Sequence, residues 1–292
     1  MNQSRIGTGP GMVGHGLLPV ILAGALAGCS SLGIGVSGSE EPEVRPVASP
    51  ANIASLTDVV ARNPNDPQAY NMRGTVLGQA GRNQDALADF SKAISLDPNY
   101  TQAYANRGLV YRQTGKLDLA IADYNRALAI DPGYAIAYLG RGIVYRQQGQ
   151  AMPALQDFNK SVSLRPDNAQ AYYNRGLLYQ AQKQHQIAID DFTTAVGLSQ
   201  QQAEPLVARA LSYLSINDLK SAASDLDDAV QADPQSLQAW VSRGLAYERI
   251  GDKEKAAGSY AKAINIDQKY EAARAGFARV GGRYGQSYQT FN

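Results

Sequence analysis

The sequence predicts an all-α solenoid of stacked helical hairpins, and three observations carry that prediction. First, prolines recur every 34 residues at Pro64, Pro98, Pro132, Pro166 and Pro234, with Gln200 and Gln268 on the two rungs that lack one. Setting the proline as residue 32 of each unit gives six units: 67–100, 101–134, 135–168, 169–202, 203–236 and 237–270. Second, bulky residues recur within each unit at helical spacing. Position 4 is Tyr70, Tyr104, Tyr138, Tyr172, Leu206 and Trp240, and position 11 is Leu77, Tyr111, Tyr145, Tyr179, Tyr213 and Tyr247. Third, small residues recur where two helices would touch: position 8 is Gly in every unit except at Ala210, and position 20 is Ala86, Ala120, Ala154, Ala188, Ala222 and Ala256. Large residues at position 24 (Phe90, Tyr124, Phe158, Phe192, Leu226, Tyr260) then fill the space between one hairpin and the next.

The segment before the units is of another kind. The first 29 residues carry one charge, Arg5, and a mostly apolar run from Val13 to Ala27. That run is too short and too rich in Gly to span a membrane as a mature helix, and has the shape of a signal peptide over 1–28. Leu26, Ala27, Gly28 and Cys29 resemble a bacterial lipobox. The resemblance implies cleavage before Cys29, acylation of its thiol and of the new amine, and, with Ser30 following, an address on the periplasmic side of the outer membrane. Several acyl chains, at about 0.8 kcal/mol per buried methylene, anchor a protein durably. Residues 30–50 are rich in Ser, Gly, Pro and Glu and read as a flexible tether behind the anchor.

After the tether, 51–66 matches the second half of a unit and reads as a lone helix capping the first hairpin, with Leu56 and Val59 inward. The six full units follow, and none can cover its own apolar face, so stacking makes the core. Residues 271–280 repeat the first half of a unit and read as the opposite cap, with 281–292 a frayed tail. The 34-residue period and its size pattern resemble the tetratricopeptide repeat (TPR) family throughout 67–270. That resemblance implies a right-handed superhelix whose concave groove binds an extended or helical segment of another protein.

One feature departs from the family. Position 7, usually Leu in TPR units, is Arg73, Arg107, Arg141, Arg175, Arg209 and Arg243. Position 23 is Asp89, Asp123, Asp157, Asp191 and Asp225, then Ser259. A partly buried guanidinium needs a carboxylate, and a bidentate pair offsets much of the desolvation cost. The pairs can form within a repeat (Arg107 with Asp123) or between neighbours (Arg107 with Asp89). Aspartate is lost at Ser259 where arginine is lost at Phe277, position 7 of the cap, and this coincidence favours pairing between neighbours.

The remaining residues point to binding and not to catalysis. Lys plus Arg number 27 against 26 Asp plus Glu, so no basic excess exists to hold nucleic acid. A single cysteine excludes an internal disulfide and a cysteine zinc site. His185 lies in a turn without a second histidine beside it, and adjacent aspartates such as Asp190 and Asp191, or Asp227 and Asp228, diverge by about 100° on a helix. With no nucleophile motif, P-loop or dinucleotide fingerprint, the chain reads as a non-enzyme with no metal, cofactor or small-molecule substrate. Positions 2, 5, 6, 9, 12 and 13 face the groove by family resemblance. They include Asn71, Asn106, Leu109, Arg112, Gln113, Leu139, Arg146, Gln147, Tyr173, Asn174 and Leu177, with Leu211 and Leu245 further along. The family's clamp for a C-terminal carboxylate needs basic residues where Asn71, Thr75, Asn106, Ile136 and Gly140 stand here, so that ligand is not expected. The expected function is a lipid-anchored envelope adaptor for proteins or peptides, in cell-wall remodelling, pilus assembly or envelope biogenesis. The alternative is a cytoplasmic scaffold whose leader only imitates a lipoprotein's.

Overall fold

The computed structural model describes residues 48–199 and 202–288, so Cys29, the leader and most of the tether lie outside the described residues. Among the described residues there are fourteen α-helices and no strand. Helix α1 (Pro50–Arg62) precedes six hairpins: α2 (Pro67–Gln79) with α3 (Asn83–Leu96), α4 (Thr101–Gln113) with α5 (Leu117–Ile130), α6 (Ala135–Gln147) with α7 (Ala151–Leu164), α8 (Ala169–Ala181) with α9 (His185–Leu198), α10 (Ala203–Ser215) with α11 (Leu219–Ala232), and α12 (Leu237–Ile250) with α13 (Lys253–Ile266). Helix α14 (Glu271–Arg279) closes the stack. No described helix is long and apolar enough to cross a membrane.

Local chemistry places the helix ends. Pro50 and Pro67 occupy first-turn positions where no amide donor is needed, and Ser49 and Asp66 cap the exposed amides. Between hairpins, Asp97, Asp131, Asp233 and Asp267 each accept from the amide two residues on (Asn99, Gly133, Gln235 and Lys269), which turns the chain beside the ladder proline or Gln268. Within hairpins, position 15 takes positive φ: glycine at 81, 115, 149 and 251, but Lys183 and Asn217 in the fourth and fifth.

The size pattern becomes packing. All six position-20 alanines are fully buried between the paired helices, and Phe90, Phe158 and Phe192 are buried with them. Each first helix touches the next first helix as well as its own partner (α2 with α4, α4 with α6, and onward to α14), whereas no second helix touches the next second helix. Closer spacing on one side makes the first helices the inner, concave lining. The far end differs from the expected frayed tail. As far as Tyr288 the chain folds back, placing Tyr284 and Tyr288 5.1 and 5.8 Å from the Phe277 ring, because α14 has no second helix to cover that face.

Candidate functional site

The position-7 arginines lie on the first helices between positions 4 and 11, which are both aromatic around Arg107, Arg141, Arg175 and Arg243, while Arg73 has Leu77 and Arg209 has Leu206 on one side. The Arg107 guanidinium is 5.7 Å from the Tyr104 ring centre and 5.9 Å from that of Tyr111, and Arg141 repeats this with Tyr138 and Tyr145. Each of the first five arginines grips the aspartate of its own repeat with both Nε and Nη2. The pairs are Arg73 with Asp89, Arg107 with Asp123, Arg141 with Asp157, Arg175 with Asp191 and Arg209 with Asp225, all at 2.7–2.8 Å. These bonds hold the five arginine pKa values above the ordinary value, against the opposing effect of burial.

The expected pairing between neighbours is thereby corrected. Position 23 sits on the helix packed against its own arginine, while the neighbouring repeat presents position 25. From that position Ser91, Asn125, Asn159 and Thr193 accept from Nη1 of Arg107, Arg141, Arg175 and Arg209. The sixth arginine inverts the scheme. Arg243 has its Nε on Asp227 at position 25 of the preceding repeat (2.6 Å) and its Nη1 on Ser259 at position 23 of its own (2.7 Å). The carboxylate has changed sides while the register stayed. Asp227 also accepts from the Tyr247 hydroxyl at 2.8 Å.

The groove face has a different character. Leu109 and Gln113 are exposed on α4 and Gln147 on α6, while Asn71, Asn106, Tyr173 and Leu177 are half-buried. Asn106 donates to Asn71 Oδ1 at 3.0 Å, tying the first two repeats. Two expected groove residues are corrected to the seam: Leu139 and Asn174 are each only 5% exposed. Position 5 of α6 packs against the neighbouring hairpin, and Asn174 is held by Gln170 O and by Arg146. Their burial depends on what the neighbouring repeats lay against them, which one repeat's pattern does not contain.

Position 12 forms a row along the face: Gly78, Arg112, Arg146, Gln180, Leu214 and Glu248. Its polar members do not share one condition. Gln180 donates to Ala208 O and Ser212 Oγ, and Glu248 accepts from Nε and Nη2 of Arg279 and from the Tyr260 hydroxyl. Arg112 and Arg146, by contrast, each hold a buried Nε without an acceptor among the described residues. Arg146 reaches Asn174 Oδ1 with Nη2 at 3.3 Å, and burial together with the like charge of Arg112 lowers its pKa, with Tyr173 opposing. Arg112 lies by the Tyr124 hydroxyl, whose pKa burial pushes up to about 12.

Sequence reasoning missed one coupling. Tyrosine stands at position 24 only in the second and sixth repeats, and there position 6 of the following unit is Gly140 or Gly276. A Cβ on Gly140 would stand 2.6 Å from Tyr124 Cε1 and 2.7 Å from its hydroxyl, and one on Gly276 would stand 2.5 Å from Tyr260 Cε1. Where position 24 is Phe, position 6 of the next unit carries a side chain: Asn106, Asn174 or Ala208. The co-occurrence of Tyr and Gly was the available signal.

Models described as TPR repeat match residues 74–115, 108–149 and 144–183, and models described as tetratricopeptide repeat match 169–201 and 207–276, together more than half of the chain. No curated protein sequence matches. In fold, the chain resembles a chain of the APC/C Cut9-Hcn1 hetero-tetramer (TM-score 0.70, 19% identity, 80% of this chain), of which it spans about half, 47%. It resembles PilF of Pseudomonas aeruginosa with a TM-score of 0.67 at 20% identity, over 75% of this chain and 99% of that one. It also resembles YrrB, a TPR protein with an unusual peptide-binding site, with a TM-score of 0.54 at 26% identity, over 64% of this chain and 96% of YrrB. Six hairpins on a 34-residue period, matched by these repeat models and by TPR structures, place the chain in the tetratricopeptide repeat family.

Proposed function

We propose that the chain is a lipid-anchored scaffold of the cell envelope that holds protein or peptide segments along its first helices. The observation that carries this reading is the mixed lining of that face. Exposed Leu109, Ile136 and Leu245 alternate with the amides of Gln113 and Gln147 and with two arginines, which gives apolar area and backbone-binding groups together. TPR proteins bind protein or peptide partners, and the resemblance to YrrB supports a peptide for this chain. The leader ending at Cys29 and the Ser/Gly/Pro/Glu tether support an anchor on the periplasmic side of the outer membrane, with partners in cell-wall remodelling, pilus assembly or envelope biogenesis.

The anchor is tested by mass spectrometry of the mature N-terminus and by fractionation. An acylated Cys29 in the membrane fraction, released to the soluble fraction by Cys29→Ala, is the expected result. An unmodified Cys29 in cytosol would leave the cytoplasmic scaffold in its place. Crosslinking in the intact envelope, followed by capture of the chain, then identifies what the groove holds.

A further inference from the structure

Arg112 and Arg146 are the feature of the inner face that the fold does not explain. Nothing about stacking asks for arginine at position 12, because the same position is Gly78, Gln180, Leu214 or Glu248 in the other repeats. The six ladder arginines show what a structural arginine looks like in this chain: each has a carboxylate at 2.6–2.8 Å. Among the described residues Arg112 and Arg146 have no such pair, and their buried Nε atoms have no acceptor. They are neighbours in the row, one repeat apart, close enough for the charge of Arg112 to act on Arg146. Two like charges brought together, each with an unmet donor, form an arrangement that an anion completes.

The groove continues on both sides of the pair. Towards the N-terminus the missing side chain of Gly78 leaves a cavity of about 100 Å³ lined by Thr75, Phe90, Leu109 and Val110. It is smaller than the ~150 Å³ that admits benzene, and suits a small aliphatic side chain. Towards the C-terminus lie Tyr173 and Leu177, both half-buried. A segment along this face therefore crosses the arginines in mid-chain, not at its end.

We propose that Arg112 and Arg146 together form a carboxylate site that takes an Asp or Glu side chain of the bound peptide, with the cavity at Gly78 taking an apolar side chain beside it. The inference rests on the peptide-binding reading above and gives that peptide a chemistry.

The test pans a random peptide library against the full chain in two formats, one with peptide C-termini fused to the carrier and one with C-termini free. In the fused format, recovered peptides should be enriched in Asp or Glu. A synthetic copy of a recovered peptide should lose about tenfold in affinity or more when that residue becomes Gln or Asn. The same loss should follow Arg112→Gln with Arg146→Gln, and wild-type binding should weaken as salt rises. The double variant should keep its helicity and lose little in melting temperature, since inside the protein it gives up only the long 3.3 Å bond from Arg146 to Asn174 and the approach of Arg112 to the Tyr124 hydroxyl, and neither Nε gives up a bond. Acid enrichment confined to free C-termini would overturn the side-chain assignment. Recovery of peptides with no acidic preference, bound equally by the double variant, would overturn the site and leave the groove reading standing. Recovery of no peptide in either format would overturn both.

Discussion

A charge can be kept while its position moves, and Arg243 shows how. Its side chain is 2% exposed against 16–20% for the other five ladder arginines, yet position 23 of its own repeat is Ser259 in place of aspartate. Asp227 supplies the missing carboxylate from position 25 of the preceding repeat, where Arg141 and Arg175 find Asn125 and Asn159. Asp227→Asn should therefore destabilise the protein by about 3 kcal/mol, as expected for a buried guanidinium that loses a paired carboxylate. Adding Ser259→Asp should restore most of that loss, because the double variant rebuilds the arrangement around Arg141. Urea denaturation of the two single variants and the double gives the coupling, and additive effects would show that the two sites do not share the charge. The ladder was legible because six arginines and five aspartates recur at fixed positions. The choice of partner was not, because it depends on which helix lies nearer each fork of the guanidinium, a distance that a repeat pattern does not encode.

At the scale of the element, the hairpins were legible and their turns were not. The period and the Gly and Ala positions give two helices per unit, but whether a turn is comfortable depends on one residue's φ. Lys183 turns its hairpin at φ 60, with Gln184 N donating to Tyr179 O at 2.9 Å, the bond that Arg82 N makes to Leu77 O in the first hairpin, where Gly81 holds the left-handed position. A side chain there is strained, so Lys183→Gly should stabilise the protein by about 0.5–1 kcal/mol, after allowing for the entropy of glycine in the unfolded chain. That corresponds to roughly 1–4 °C in melting temperature for a body of this size. Asn217 at φ 65 should not respond in the same way. Asparagine tolerates this region, and its Oδ1 accepts from Arg249 Nη2 at 2.8 Å, so Asn217→Gly should leave stability unchanged or lower it. Thermal melts of both variants check the contrast, and a fall in the Lys183→Gly melt would show that the lysine is unstrained. The same gap between pattern and neighbour hid Leu139 and Asn174: both lie on the face the family uses for binding, and both are buried at seams between repeats, Leu139 in the cluster it shares with α7 and α8 and Asn174 beside Arg146 of the preceding repeat.

In the whole molecule each repeat touches only its neighbours, so removing a repeat tests whether its two neighbours fit each other. Deletion of 169–202 brings α7 against α10 and sets Phe158 beside Ala208, the combination that Phe192 and Ala208 already make, and sets Arg209 opposite Asn159, which Arg175 uses now. Deletion of 135–168 is the same length but joins α5 to α8 and sets Tyr124 against Asn174 where it now meets Gly140. The Tyr124 ring and hydroxyl fill the volume that a Cβ at that position would need, so this junction is overpacked, at a cost of about 1–3 kcal/mol. Both shortened chains should fold with the helicity of five hairpins, but the chain lacking 135–168 should melt lower than the chain lacking 169–202 by roughly 2–10 °C. Adding Tyr124→Phe to the lower-melting chain should close most of that gap, since Phe90 already sits before Asn106 and Phe158 before Asn174. In the intact protein the same substitution should give no such gain, because Gly140 already makes room for the tyrosine. Equal melting temperatures for the two deletions, or a Tyr124→Phe change that acts alike in both backgrounds, would mean that the stack joins any repeat to any other and that the pairing of Tyr124 with Gly140 sets no order along it.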